Sequence, residues 1–222
     1  MVNLTRDGAV LICDLGDGEN RLDGVLVGAL HAVLDDVESA SGPAALVTTG
    51  SGRFYSNGLE PESFALDGYL DAVQSLLGRL LGSGVPTVAA LQGHTYAGGL
   101  LLALAHDRRV MRADRGYLCL PEARLGFPFL PGMSALVAAR VAPAVAHAAM
   151  VTAERYDADA AVNARLVDEI AEPGEVLATA VDRAAELAPL RGSNLAAIKR
   201  TLYRDALDRL AEPAILPAAS GA

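Results

Sequence analysis

The stretch that decides the fold is residues 88–126, which read VAALQGHTYAGGLLLALAHDRRVMRADRGYLCLPEARLG. An apolar run at 88–91 reaches a turn that contains glycine, and Gly98 and Gly99 then open an apolar helical segment. A single acid, Glu122, follows after a second extended piece. The first N–H groups of a helix have no partner within the helix, and glycine lets another group approach the backbone closely. The stretch therefore predicts free backbone donors and one carboxylate in an apolar part of the chain.

The composition indicates one globular domain with a full hydrophobic core. Of the 222 residues, 52% are apolar and 20% are charged, which is typical of a folded chain. The formal net charge of −9 argues against nucleic acid as a partner, because binding to phosphates needs a basic surface. No apolar run approaches the ~20 residues that a membrane span needs, so we expect no membrane partner.

The numbers of cysteines and lysines indicate the cellular compartment and the type of organism. Cys13 and Cys119 are too few for a disulfide framework, which favours a reducing compartment. Lys199 is the only lysine, and arginine supplies every other basic position, a bias that is common in GC-rich bacterial genomes. We therefore predict a cytoplasmic protein of a bacterium.

The familiar motifs for nucleotides and metals do not occur in the sequence. Glycines at 50 and 52 follow an apolar run, but Tyr55 stands where a dinucleotide fingerprint needs its third glycine, and a P-loop lysine is missing. The four histidines form no HExxH and have no cysteines at zinc-site spacing. We expect neither a metal site nor a nucleotide loop of these kinds.

Hydrophobic spacing predicts an α/β chain with a helical C-terminal third. Alternating short strands and helices favour βαβ units and a largely parallel sheet. We divide the chain into a core domain, 1–160, and a helical region, 161–222, that packs on its own domain or on another subunit. The tail after Glu212 is predicted to be frayed. The predicted strands are 9–15, 44–49, 87–91 and 167–170, and the predicted helices are 23–40, 66–81, 133–140, 143–152, 157–166, 175–187 and 193–209.

Three segments together resemble one family. They are GSGRFYSNGLE at 50–60, VAALQGHTYAGGLLLALAHDRRV at 88–110 and LCLPEARLG at 118–126. In order and spacing they resemble the crotonase (enoyl-CoA hydratase/isomerase) superfamily, and most of all its Δ3,Δ2-enoyl-CoA isomerases. The resemblance runs from Ile12 to about Leu202. It implies a crotonase-type spiral of ββα units with a helical C-terminal oligomerisation region, a homotrimer or dimer of trimers, and an acyl group carried as a coenzyme A thioester, with no permanently bound cofactor.

The resemblance also implies which residues react. The backbone N–H groups of Leu59 and Gly98 would hold the thioester oxygen, and Glu122 would be the acid of the PEARLG turn. Family hydratases have a second glutamate where this chain has Leu101. Hydration needs a water held between two carboxylates, whereas shifting a double bond needs one proton shuttle, so the resemblance and the leucine together favour an isomerase.

Further residues are predicted to bind the substrate. Arg21, Arg53, Lys199 and Arg200 are the cations considered for the phosphates of coenzyme A, and an acyl pocket is predicted from Phe64, Leu66, Phe127, Phe129, Leu130 and Met133. The full predicted substrate-binding set is Arg53, Ser56, Asn57, Gly58, Gly99, Leu101, Phe127 and Lys199.

Three alternatives stay open at this point. The chain could be an enoyl-CoA hydratase in which Glu60 or another acid replaces the missing glutamate, although capping the next helix is the role we expect for Glu60. It could be a non-catalytic acyl-CoA binder, in which Glu122 would face bulk solvent. It could also carry out another reaction that passes through a thioester enolate, because one site geometry supports several chemistries.

Overall fold

The fold is built from two β-sheets and the helices that cover them. The computed structural model describes residues 2–215, so residues 216–222 of the predicted frayed tail lie outside the described part. The larger sheet has six strands, and all neighbours are parallel except the first pair, which forms an antiparallel hairpin. In spatial order its strands are β1 (Asn3–Asp7), β2 (Val10–Asp14), β3 (Ala45–Thr49), β5 (Thr87–Leu91), β7 (Arg108–Arg112) and β10 (Glu169–Ala171).

The smaller sheet has four strands of two or three residues each. Its first three strands are parallel, and the fourth pairs with the third in the antiparallel sense. An isolated parallel bridge between Leu22 and Leu59 lies close to its first strand. In spatial order the strands are β4 (Phe54–Ser56), β6 (His94–Tyr96), β8 (Leu118–Cys119) and β9 (Arg155–Tyr156).

Ten α-helices follow or cover these strands in the described part of the chain. Two 3₁₀ turns, Pro61–Ala65 and Ala188–Leu190, precede α2 and follow α8. The helices are α1 (Gly24–Ser39), α2 (Tyr69–Gly82), α3 (Gly98–Ala105), α4 (Glu122–Leu125), α5 (Pro131–Arg140), α6 (Pro143–Val151), α7 (Ala158–Asn163), α8 (Val176–Leu187), α9 (Ser193–Leu202) and α10 (Arg204–Leu210).

The chain repeats one unit as it winds. β3, β4 and α2 form one turn; β5, β6 and α3 form the next; β7, β8 and α4 form a third. Each turn places its first strand in the larger sheet, its second in the smaller sheet and then a helix. This arrangement confirms the predicted spiral of ββα units.

The core lies between the sheets and around α3. Every residue of α3 is buried, as are all five residues of β3 and of β5, which explains their uninterrupted apolar sequences. On the other face of the larger sheet, α8 packs small residues such as Ala180 and Ala184 onto the strands. Both α8 and β10 lie beyond residue 160, so the described part of the predicted helical region, 161–215, contributes to the core as well. Its predicted role in oligomerisation stays a prediction.

The structure corrects several predicted boundaries. The predicted helix 66–81 begins only at Tyr69, because Gly68 before it adopts φ +71°, a left-handed conformation that does not continue from a helix. The predicted helix 193–209 is broken at Tyr203, whose ring packs against the Arg140 guanidinium 5.3 Å away. The strands β4, β6, β8 and β9 were not predicted, since two or three residues show no periodicity. Among residues 2–215, none of the helices combines the length and the apolar character that a bilayer crossing requires.

Candidate active site

A cavity of about 240 Å³ lies at the carboxyl ends of three neighbouring parallel strands. Leu59 follows β4, Gly98 follows β6 and Glu122 follows β8, and all three residues line the cavity. Ligands in α/β folds commonly bind at the carboxyl ends of strands, where the loops begin. The topology of the smaller sheet therefore brings the three predicted catalytic residues together. The remaining lining residues are Arg21, Asn57, Pro61, Phe64, Leu70, Tyr96, Ala97, Leu101, Pro121, Leu125, Phe127, Pro128, Phe129, Leu130 and Met133.

The turn after β4 presents the Leu59 N–H. Gly58 adopts φ +97°, which favours glycine, and the hydroxyl of the buried Ser56 accepts a hydrogen bond from the Gly58 N–H at 3.3 Å. On the other side of the turn, the Leu22 N–H donates to the Gly58 carbonyl at 2.8 Å. The N–H and the carbonyl of Gly58 are thus both hydrogen-bonded, which fixes the turn, and the Leu59 N–H has no acceptor among residues 2–215.

The start of α3 presents the Gly98 N–H. Ala97, the residue before the helix, has φ +49° and ψ −125°, an unusual conformation for a residue with a side chain. Its N–H donates to the Cys119 carbonyl of β8 at 2.9 Å, which fixes the turn against the neighbouring strand. As the first residue of the helix, Gly98 has an N–H without an acceptor in the described part of the chain.

The two donors lie next to each other. A Cβ atom built on Gly98 would stand 3.1 Å from the Leu59 nitrogen, and one built on Gly58 would stand 3.3 Å from the Gly98 nitrogen. On Gly99 it would stand 2.5 Å from the Ser56 carbonyl oxygen. The three glycines are therefore needed for the turn after β4 to touch the start of α3. Two adjacent unpartnered N–H groups form a site for a developing negative oxygen.

Glu122 is a carboxyl group in a largely apolar cavity. Its side chain is half-buried as a whole, but Oε2 is shielded from solvent and has no hydrogen-bond partner among residues 2–215. Burial raises the pKa of Glu122 from 4.5 to about 7, and a hydrogen bond from its own backbone N–H opposes this only in part. A carboxyl group of this kind can take up and release a proton near neutral pH.

Leu101 and aromatic side chains make the rest of the wall apolar. Leu101 is 1% exposed and lines the cavity together with Glu122. The rings of Phe64 and Phe127 meet edge to face with their centroids 6.0 Å apart. Glu122 is the one acid among the lining residues in the described part of the chain. A second carboxylate that could hold a water against Glu122 is therefore missing from this wall.

The predicted substrate-binding residues separate into two groups. Asn57, Leu101 and Phe127 line the cavity, as do four of the other residues predicted for the acyl pocket. Ser56, Gly58 and Gly99 are buried behind the surface, where they shape the two donor turns instead of touching the space between them. The prediction for Leu66 was wrong: it follows the 3₁₀ turn, is 57% exposed and does not line the cavity.

The predicted phosphate-binding cations are also dispersed. Lys199 is 5% exposed, and its ammonium group donates to Asp107 at 2.7 Å, so this charge holds α9 against the core and is not available at the cavity. Arg200 lines a separate open groove between α2 and the last helices. Arg53 is exposed beside β4, its guanidinium 5.5 Å from the Phe54 ring centroid. Of the four cations only Arg21 lines the cavity.

Glu60 does not take the role that we expected. It precedes the 3₁₀ turn, but its side chain makes no capping hydrogen bond. Its carboxylate lies 3.8 Å from the Arg21 guanidinium instead, and Glu60 is not among the residues that line the cavity. Arg21 also donates to Glu19 at 2.7 Å, so the entrance carries a small ion-pair cluster.

Sequence reasoning missed several lining residues. Tyr96 and Ala97 lie inside the HTYAGG segment, of which only His94 and the two glycines were considered. Leu70 lies on the face of α2 that reaches the cavity, which helical spacing alone cannot distinguish from core. Pro61, Pro121 and Pro128 lie in loops and a short 3₁₀ turn that have no repeating pattern. Within residues 2–215, no group of three or more His, Cys, Asp or Glu is arranged to hold a metal ion.

Replacing Glu122 by glutamine should change stability in a pH-dependent way. The folded-state pKa of about 7 lies above the unfolded value of 4.5, so burial favours the protonated form and costs stability as the pH rises through this window. At pH 8 we expect Glu122→Gln to be more stable than the wild type by about 1–3 kcal/mol in urea unfolding. The gain should vanish near pH 4.5. Glu60→Gln is the matched control and should stay within about 0.5 kcal/mol at both pH values; an equal gain for Glu122→Gln at both would contradict the burial argument.

Comparison with known proteins agrees with this geometry. Residues 7–216 match the family model described as enoyl-CoA hydratase/isomerase. Enoyl-CoA delta isomerase 2, peroxisomal, of Arabidopsis thaliana is 30% identical over 221 residues, covering 91% of this chain and 92% of that protein. A putative enoyl-CoA hydratase of Thermus thermophilus is 33% identical, with 88% of this chain and 81% of that protein covered. The apo structure of an enoyl-CoA isomerase of Mycobacterium tuberculosis has a TM-score of 0.87 at 28% identity, covering 94% of this chain and 93% of that one. The chain belongs to the enoyl-CoA hydratase/isomerase (crotonase) family.

Proposed function

We propose that this protein is an enoyl-CoA isomerase that moves a Δ3 double bond of an acyl-CoA thioester to Δ2. The observation that carries the proposal is the cavity wall: it holds two unpartnered N–H groups and a single acid, Glu122, with Leu101 where a second acid would stand. The Arabidopsis relative, an enoyl-CoA delta isomerase, supports the same activity.

In the proposed reaction the thioester oxygen accepts hydrogen bonds from the Leu59 and Gly98 N–H groups. These donors stabilise the negative charge that develops when Glu122 removes a proton from C2 of the 3-enoyl group. The electrons move to give a dienolate with its charge on the thioester oxygen. Glu122 then returns the proton to C4, which leaves the double bond between C2 and C3. Losing one such donor typically costs about 3 kcal/mol of transition-state stabilisation.

The raised pKa of Glu122 suits a group that must act as base and then as acid. A carboxylate with an ordinary pKa would be a weak base toward C2, whereas a pKa of about 7 strengthens the base and still leaves much of it deprotonated at neutral pH. The apolar wall around Leu101 keeps competing water away from the dienolate. The apolar surroundings of Glu122 thus raise its pKa for the proton transfer and also protect the dienolate from water.

Hydration is the second candidate activity, because the Thermus relative is a putative enoyl-CoA hydratase. That reaction needs a water activated between two carboxylates, and Glu60, the acid considered for the second role, faces the Arg21 guanidinium and does not itself line the cavity. A non-catalytic binder is also less well supported, since a scaffold has no need of an acid whose Oε2 is buried beside the donors. The trimeric state and the cytoplasmic location stay predictions.

The two activities are separated by a substrate panel with product identification. Purified protein is incubated with 3-enoyl-CoA and with 2-enoyl-CoA thioesters, and mass spectrometry distinguishes the isomer from the hydrated 3-hydroxyacyl product. The proposal predicts conversion of 3-enoyl-CoA to 2-enoyl-CoA with little water addition. Robust formation of 3-hydroxyacyl-CoA from 2-enoyl-CoA would overturn it in favour of a hydratase.

Removing the Glu122 carboxylate should abolish the isomerase activity. We expect Glu122→Gln to lower kcat by roughly 10³-fold, in the range found for loss of a catalytic base, while Glu60→Gln changes kcat less than about threefold. For the wild type, kcat/KM should rise tenfold per pH unit below pH 7 and level off above, because only the deprotonated form of Glu122 takes the proton. Full turnover by Glu122→Gln, or a pH-independent kcat/KM between pH 5 and 8, would contradict this assignment.

Introducing an acid at position 101 should allow the enzyme to hydrate 2-enoyl-CoA. Leu101→Glu places a second carboxyl group on the wall that Glu122 already lines, so we expect 2-enoyl-CoA hydration to rise about tenfold or more above the wild-type level. Leu101→Gln is the matched control, since it is polar and similar in size but cannot exchange a proton with water. Circular dichroism establishes that both variants are folded. A folded Leu101→Glu with no hydration at all would count against the water argument.

A further inference from the structure

The helix that carries the Gly98 donor has no polar side chain of its own. α3 consists only of glycine, leucine and alanine, and all eight residues are buried. Apolar burial is non-directional, so it favours keeping the helix inside the core but does not by itself fix its rotation or tilt. Catalysis requires the Gly98 N–H to point at the thioester oxygen. The bond from the Ala97 N–H to the Cys119 carbonyl holds the start of the helix, so a directional contact is needed at its other end.

A buried chain of three polar side chains meets the carboxyl end of α3. The Tyr55 hydroxyl lies 2.8 Å from Thr48 Oγ1, and Thr48 Oγ1 lies 3.0 Å from His106 Nε2. His106 directly follows α3, and its Nδ1 lies 2.8 Å from the Leu102 carbonyl oxygen within the helix. The three side chains are at most 1% exposed, so water does not compete for these bonds.

The direction of every bond in this chain is determined. Burial lowers the pKa of His106 to about 4, so the ring is neutral and carries one proton. A carbonyl can only accept, so Nδ1 holds that proton and donates to Leu102. Nε2 must then accept from the Thr48 hydroxyl, and Thr48 in turn accepts from the Tyr55 hydroxyl. Each member has a single arrangement, which makes the chain a rigid connection.

This connection joins the two elements that supply the oxyanion donors. Tyr55 lies in β4, immediately before the turn that presents the Leu59 N–H. His106 lies at the opposite end of α3 from Gly98. Close glycine contacts attach the start of α3 to the turn, and the polar chain attaches its end to β4 through Thr48 of β3. The Arg140 guanidinium also donates to the Leu104 carbonyl at 2.8 Å, so the polar chain acts together with this bond at the carboxyl end of α3. Contacts at both ends fix the tilt of the helix, and among them the polar chain is the one that reaches β4.

We propose that Thr48, Tyr55 and His106 are positioning residues that hold the Gly98 N–H in register with the Leu59 N–H. The inference rests on the proposed function, since it assigns these side chains to the alignment of the same two donors. They act through α3 and β4 and do not touch the substrate.

The test compares Thr48→Val with Thr49→Val. Both changes replace a buried β3 hydroxyl by a methyl group, but the Thr49 hydroxyl donates to the Ala90 carbonyl of the neighbouring strand β5 at 3.2 Å and has no part in the polar chain. For Thr48→Val we expect kcat for 3-hexenoyl-CoA to fall by about tenfold with KM within about threefold, because a small misalignment of donors weakens transition-state binding. Thr49→Val should keep kcat within about threefold of the wild type.

A spectroscopic measurement reports how strongly the two N–H donors bond to a ligand carbonyl, without any turnover. Saturated hexanoyl-CoA labelled with ¹³C at its carbonyl binds without reacting, and isotope-edited infrared spectroscopy measures how far the carbonyl frequency falls on binding. We expect Thr48→Val to lose about half of the wild-type shift and Thr49→Val to retain it. If Thr48→Val does not fold, Tyr55→Phe serves in its place, because it removes one bond and leaves Thr48 bonded to His106.

The outcomes separate this inference from the proposed function. Equal carbonyl shifts and equal kcat for Thr48→Val and Thr49→Val would overturn the positioning role and leave the isomerase proposal intact. A wild-type protein that does not shift the carbonyl would overturn both, since there would be no oxyanion site to align. A normal wild-type shift without turnover of 3-hexenoyl-CoA, lost in Thr48→Val, would support the positioning role while refuting the isomerase.

Discussion

The site depends on one energetically costly arrangement: a carboxyl oxygen that is buried without a partner beside two backbone N–H groups that also lack partners. Oε2 of Glu122 has no hydrogen bond within residues 2–215, and neither has the N–H of Leu59 or Gly98. The shielded, unpartnered Oε2 destabilises the fold by about 1–3 kcal/mol. In the proposed reaction the thioester oxygen would accept from the two N–H groups and Glu122 would take a proton from the adjacent carbon, so the feature that costs stability is the one that the reaction would use.

The fold supplies this arrangement through its topology. β4, β6 and β8 are parallel neighbours, so their carboxyl ends meet at one edge of the smaller sheet and release three loops side by side. A hydrogen bond from Ala97 to Cys119 and the glycine contacts with Ser56 then fix the loops against each other. The strands are short, but the buried α3 and the larger sheet behind them make the site rigid. Catalytic geometry here is a consequence of winding the same ββα unit several times.

Much of this could be read from the sequence, and the failures have physical causes. The three motif segments predicted the spiral, and Glu122, Leu59, Gly98 and Leu101 indeed meet at one cavity. Residue type does not reveal a partner that is distant along the chain, so the prediction could not anticipate that Asp107 engages Lys199. Strands of two or three residues are too short to show a hydrophobic period, so the smaller sheet could not be predicted from the sequence. The polar chain from Tyr55 to His106 joins residues of three elements, and the sequence gives no spacing rule for it.

In the proposed reaction one buried carboxyl group carries a proton between two carbons of the substrate while Leu101 excludes water. The most direct test uses 3-enoyl-CoA with deuterium at C2 in ordinary water, with the product of the first turnovers analysed by mass spectrometry and NMR. A single shuttle in a dry cavity predicts that a substantial part of the deuterium appears at C4 of the 2-enoyl product. Product in which the hydrogen added at C4 comes only from the solvent would contradict a single shuttle in a dry cavity.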